Sequence, residues 1–172
     1  MPAPRFPRRP PRLPTVFDVH RHAQVYFVTF CTHQRRPWLA QPNIHATFLA
    51  FIQRGWTEHR IGVGRYVIMP EHIHLLVSGG PDFNLGGWVK LLKQSLGKVI
   101  RASHRDATTP GSANRLWQEG FFDHLIRRDE KLASVWAYLR QNPETAGLTD
   151  VPEDWPYQGE FMVLERVGER AS

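Results

Sequence analysis

Along the chain the apolar positions switch between two periods, and the switches mark out the elements. Val25, Tyr26, Phe27, Val28, Thr29 and Phe30 form a β-branched and aromatic run that predicts a buried first strand over residues 25–32. Ile44, Phe48, Phe51, Ile52 and Trp56 then recur at helical spacing, which predicts a helix over residues 43–58. Residues 66–69 and 72–77 return to strand character on either side of Pro70-Glu71, the pattern of a hairpin. After the Gly79-Gly80-Pro81 break, Leu85, Val89, Leu92, Leu96 and Val99 line one face of a helix predicted over residues 85–104, with Lys90, Lys93, Lys98 and Arg101 elsewhere on it. A polar loop follows over residues 106–114, then a fourth strand over 121–127 and a third helix over 129–141, closed by Asn142-Pro143. The order strand, helix, strand, strand, helix, strand predicts an α+β protein with a ferredoxin-like split βαβ antiparallel sheet (βαββαβ), an added C-terminal helix and an irregular tail.

Composition changes this picture at its ends. The 172 residues suit one domain with a sizeable core. The first 14 residues hold Arg5, Arg8, Arg9 and Arg12 among six prolines, a composition that cannot pack, so residues 1–19 are expected to be a basic arm. The folded domain is expected over 20–148 and the tail over 149–172. Lys plus Arg number 22 against 16 Asp plus Glu, a net charge of +6, which favours a polyanionic partner and makes nucleic acid the first expectation. One cysteine, Cys31, allows no internal disulfide, and the start of the chain lacks an apolar signal core, so a reducing, cytoplasmic setting is expected. With no apolar run of about 18 residues, a membrane span is not expected.

The chemistry concentrates in Met69-Pro70-Glu71-His72-Ile73-His74. Alternation along a strand sends His72 and His74 to one face and Ile73 and Leu75 to the other, so two imidazoles converge while their neighbours feed the core. Read alone, such a pair is either half of a metal site or a hydrogen-bonded feature of a sheet edge.

Four stretches together resemble a known family. They are Tyr26-Phe27-Val28-Thr29-Phe30 with Arg35-Arg36-Pro37, the run from Val67 through His72-Ile73-His74 to Val77, Leu116-Trp117-Gln118 through Phe122-Asp123-His124, and Tyr138-Leu139-Arg140-Gln141-Asn142-Pro143 continuing to Ala146-Gly147-Leu148. Spread over residues 20–157, they make the chain similar to the REP-associated tyrosine transposases, members of the single-tyrosine HUH transposase superfamily. Glu71 departs from the pattern, where this family commonly has Asn.

The resemblance implies a DNA-cleaving tyrosine, Tyr138, and a metal site of His72, His74 and Asn142 for a divalent cation, Mg²⁺ or Mn²⁺. Two imidazoles and one amide oxygen leave positions open for water and phosphate, which suits that role. Attack by the tyrosine would leave a 5′-phosphotyrosine and a free 3′-hydroxyl, so cleavage and rejoining would be one reversible reaction. On packing grounds alone Tyr138 reads as a core aromatic among Leu132, Val135 and Trp136. His124 reads as a structural hydrogen-bonding residue or as a proton acceptor for the phenol. The implied partner is a single-stranded DNA hairpin with a short 5′ flanking motif, bound by a monomer or a homodimer. Candidate phosphate contacts are Arg5, Arg8, Arg9 and Arg12 in the arm, Arg35 and Arg36 after the first strand, Lys90, Lys93 and Lys98 on the second helix, and Arg127 and Arg128 before the third.

Two other hydrolase classes fail on the residues. An amidohydrolase barrel needs eight βα units, more than 172 residues supply, and a histidine-triad hydrolase wants a third His where Leu76 stands. The serious alternative is a domesticated hairpin-binding protein that keeps the fold and basic surface but regulates repeats instead of moving itself.

Overall fold

The structure, a computed structural model, describes residues 16–19, 24–104, 115–126 and 132–166. Among the described residues the strands and α-helices follow in order: β1 (Val16–Val19), β2 (Gln24–Cys31), α1 (Pro42–His59), β3 (Gly62–Ile68), β4 (His72–Gly79), α2 (Leu85–Ser103), β5 (Phe122–Leu125), α3 (Leu132–Arg140), α4 (Asn142–Thr145), β6 (Gln158–Glu160) and β7 (Val163–Arg166).

The main sheet has the order β5-β2-β4-β3-β6 and every pairing in it is antiparallel. Because β4 inserts between β2 and β3, which α1 connects, the expected βαββαβ unit is present. That insertion places the histidine strand at the centre, where neighbours on both sides fix its pleat.

Directly paired residues share a face, so the register assigns the faces. Phe30, Val28, Ile73, Leu75, Tyr66 and Ile68 point to one side and join Phe48 and Ile52 of α1 and Leu92, Leu96 and Ile100 of α2 in one buried cluster. On the other side Val67 and Met69 cluster with Leu139 of α3, and Val135, Trp136 and Trp155 pack against them. The same side carries Cys31, Thr29, His72 and His74. The α1–α2 layer thus closes the core, and α3 lies over the chemistry.

Several boundaries differ from expectation: β3, expected to begin at residue 66, begins at Gly62, and β1 lies inside the segment expected as a basic arm. The segment expected as an irregular tail supplies β6, which extends the sheet beyond β3, and β7, which pairs in parallel with β1 at Val16↔Val163. Both pairings are between residues far apart in sequence, so no local period announces them. The third helix stops at Arg140 and α4 begins at Asn142, because Pro143 has no N–H to continue the ladder. The fourth strand shortens to Phe122–Leu125. Among the described residues no helix is long and apolar enough to cross a membrane.

Candidate functional site

His72 and His74 turn their Nε2 atoms toward each other at 3.0 Å. Each ring is held from behind at Nδ1, His72 by the Glu71 carboxylate at 3.0 Å and His74 by the Thr29 hydroxyl at 2.6 Å. A carboxylate only accepts, so the His72 proton sits on Nδ1 and its Nε2 offers a lone pair to the site. The Thr29 hydroxyl both donates and accepts and therefore serves either tautomer of His74. Thr29 is in place because it pairs with His74 in the β2–β4 register. Phe27 stacks on the His74 ring at 5.5 Å between centroids.

Burial keeps both rings neutral. It pushes His74 down to about 3, with the neighbouring His72 and Arg35 acting in the same direction. It also lowers His72, against the opposing pull of the Glu71 carboxylate. Neutral imidazoles are the form that ligates metals. Arg35 stands 3.9 Å from Glu71, on a turn where Gln34 and Arg35 both adopt the left-handed φ of 55°.

Asn142 joins the pair from the helix side. Its Nδ2 donates to the carbonyls of Tyr138 at 3.2 Å and Leu139 at 3.1 Å. With the amide nitrogen so engaged, the oxygen is the side-chain atom left for the site, and the Asn142 side chain acts on His74 to favour its charged form against the burial. Tyr138, one turn earlier, is 65% exposed on α3 and takes no part in the core. The packing expectation for Tyr138 fails because α3 buries Leu139, its neighbour, and turns the phenol to solvent.

The donor set fits a divalent cation. Two ligands roughly 2.1 Å from one ion and at right angles lie roughly 3.0 Å apart, the separation of the two Nε2 atoms. Two lone pairs aimed at each other at that distance need a proton or a cation between them. Among the described residues no three His, Cys, Asp or Glu converge as ligands, and Glu71 is spent on His72 Nδ1, so an amide oxygen is the available third donor.

The candidate phosphate contacts divide. Arg35, Lys90 and Lys98 are exposed. Arg36 is half-buried, with its guanidinium over the Trp38 ring at 5.4 Å. Lys93 turns inward: its ammonium donates to the carbonyls of Gln118 and Gly120 and lies 5.6 Å from the centre of the Phe30 ring, and burial lowers its pKa. It pins the 116–120 segment to α2. Arg5, Arg8, Arg9, Arg12, Arg127 and Arg128 lie outside the described residues. His124 shares the face of the histidine pair, opposite Phe27 in the register. The sequence reading missed Thr29 as the support of His74; a small hydroxyl residue in a mostly apolar run was the signal available.

Residues 20–142 match the model of the family described as Transposase IS200 like. A Haemophilus influenzae protein whose name assigns it to the REP-associated tyrosine transposases is 34% identical over 94 residues, covering 52% of this chain and 53% of that protein. The REP-associated tyrosine transposase of Escherichia coli K12 is 26% identical over 98 residues, covering 55% and 52% respectively. The chain therefore spans about half the length of these curated relatives. Among solved structures, a REP-associated tyrosine transposase bound to a REP hairpin superposes with a TM-score of 0.63 at 19% identity, over 78% of this chain and 75% of that one, and so shares the fold.

Proposed function

The chain belongs to the IS200-like transposase family, and from that premise we propose that it cleaves and rejoins single-stranded DNA at repeat-derived hairpins, with Tyr138 as the nucleophile. The observation that carries this reading is the exposed Tyr138 standing one turn before Asn142, beside a histidine pair that burial keeps neutral. A fold relative bound to a REP hairpin supports the choice of substrate.

In the proposed reaction the Tyr138 oxygen, its proton lost, attacks phosphorus and the bond from phosphorus to the 3′-oxygen breaks. The departing oxygen takes up a proton to become a 3′-hydroxyl, and the strand stays on the enzyme as a 5′-phosphotyrosine. Attack by a second 3′-hydroxyl on that phosphotyrosine restores the phosphodiester and frees Tyr138, so joining needs no ATP. His72, His74 and Asn142 would hold Mg²⁺ or Mn²⁺, which when bound neutralises charge on a nonbridging phosphate oxygen. Glu71 and Thr29 keep the two imidazoles aimed. Arg35, beside the pair, and the exposed Lys90 and Lys98 supply positive charge for the phosphate backbone.

Incubation with repeat-derived hairpins and Mg²⁺, followed by denaturing electrophoresis, tests the proposal. A covalent protein–DNA adduct is expected, and Tyr138→Phe should abolish it while leaving hairpin binding nearly intact. An adduct that persists in Tyr138→Phe would sink the assignment.

A further inference from the structure

Away from the histidine pair, α2 and the 115–121 segment enclose an open groove of about 480 Å³. Lys90, Lys93, Arg101 and Arg115 line it, Trp117 and Phe121 form an aromatic wall, Gln94 adds an amide, and no acidic residue is among its lining. Lys93 is already spent on backbone carbonyls, but Lys90, Arg101 and Arg115 are exposed and without an acidic partner among the described residues. The wall is rigid. Trp117 donates from Nε1 to the Lys93 carbonyl at 3.1 Å and packs edge-on against Phe30. Gly97 permits this closeness, since a Cβ there would meet Leu116 at 3.1 Å and both Arg101 and Trp117 at 3.6 Å.

The groove also lies at the working end of the sheet. Gln118 N donates to the carbonyl of Cys31, and Cys31 pairs with His72. A concave site with three free cations, an aromatic wall and an amide suits one unpaired nucleotide, its phosphate on the guanidinium groups and its base against the rings. A duplex keeps the faces of its bases stacked inside, out of reach of the rings.

We infer that this groove binds an unpaired nucleotide of single-stranded DNA next to the segment held at the histidine site. The site deepens the DNA reading above and rests on it for its role, but its binding is read separately. The probe is an oligothymidylate of about twelve nucleotides, within the usual site size, with one 5-iodo-deoxyuridine and a fluorescent end label. Its duplex with oligodeoxyadenylate is the control.

Anisotropy titrations compare Tyr138→Phe with Tyr138→Phe carrying Arg101→Ala and Arg115→Ala. The added pair should weaken single-strand binding about tenfold and reduce the salt slope by about 1.4, at about 0.7 counterions per phosphate. Arg101→Lys with Arg115→Lys should restore the slope, and the duplex should be little affected. Ultraviolet cross-linking of the otherwise unaltered chain should place the iodinated base on the peptide bearing Trp117 and Phe121. Unchanged single-strand affinity, an equal loss on duplex, or a cross-link mapped elsewhere overturns the groove. A chain that cross-links there yet forms no adduct with any hairpin keeps the groove and defeats the transposase reading instead.

Discussion

Thr29→Val removes one oxygen from behind the site and nothing from its front. Valine fills the threonine volume on β2, but the His74 Nδ1 that lay 2.6 Å from the hydroxyl loses its partner in a site where the ring is only 9% exposed. An unsatisfied buried polar atom costs about 1–3 kcal/mol, which at about 1.4 kcal/mol per tenfold is roughly 5- to 150-fold. The loss should fall on cation affinity, because the ligating tautomer of His74 needs Nδ1–H to have an acceptor; a shift of about 10- to 100-fold matches the cost of removing such outer partners elsewhere. Adduct formation titrated against Mn²⁺ reads it directly. The half-saturating concentration should rise by that factor while the rate at saturating Mn²⁺ recovers most of its original value, since Tyr138 is untouched. Glu71→Gln is the matched comparison: the glutamine carbonyl still accepts from His72 Nδ1, so its shift should be smaller. A Thr29→Val protein with the parent's half-saturating Mn²⁺ concentration would refute the reasoning.

Other expectations follow from single contacts. His72→Ala or His74→Ala should eliminate adduct formation and Asn142→Ala should only slow it, as an amide oxygen is the weaker ligand; EDTA should stop the reaction of the parent, and full activity in EDTA would contradict the metal role. Leu139→Ala, at a fully buried position under α3, should cost about 2–5 kcal/mol in chemical denaturation and loosen the helix that presents Tyr138. His45 is neutral in the fold, with burial holding its pKa below the ordinary value and its Nε2 2.8 Å from the buried Tyr66 hydroxyl. The unfolded chain takes up that proton first, so stability is present above about pH 6.5 and is lost as pH falls toward the folded value; His45→Gln should flatten the decline in melting temperature between about pH 7.5 and 5.5.

What could be read from the sequence was whatever is periodic or adjacent. The alternation around Val28 and Ile73 and the helical stripe from Leu85 to Val99 depend on near neighbours, and the sheet unit built from them is present. His72 and His74 share a face because they are two residues apart, and Asn142 follows Tyr138 by one turn. The supports of the site depend on register instead. Thr29 reaches His74 across 45 residues, Gln118 N reaches the Cys31 carbonyl across the polar loop, and Lys93 leaves the solvent to hold Gly120. Each of those contacts is decided when strands align, and a basic residue on an amphipathic helix carries no local sign of which way it will turn. The strands β1 and β7 escaped for the same reason, since each gains its partner only from the far end of the chain.

The two halves of the site are held by different means. The histidines sit on the central strand, hydrogen-bonded on both sides, with the large buried cluster behind them. Tyr138 sits on α3, of which nine residues are described, docked by a small cluster around Val67, Met69 and Leu139. A strand locked by two neighbours cannot shift without a slip of register, whereas a short helix on a small apolar patch moves at modest cost. Asn142 is the joint between them, bonded to the helix through its nitrogen with its oxygen left for the site. Rigid imidazoles and an adjustable tyrosine would suit the proposed reaction, in which Tyr138 first attacks a phosphate and is later displaced from it while the proposed ligand atoms stay in place.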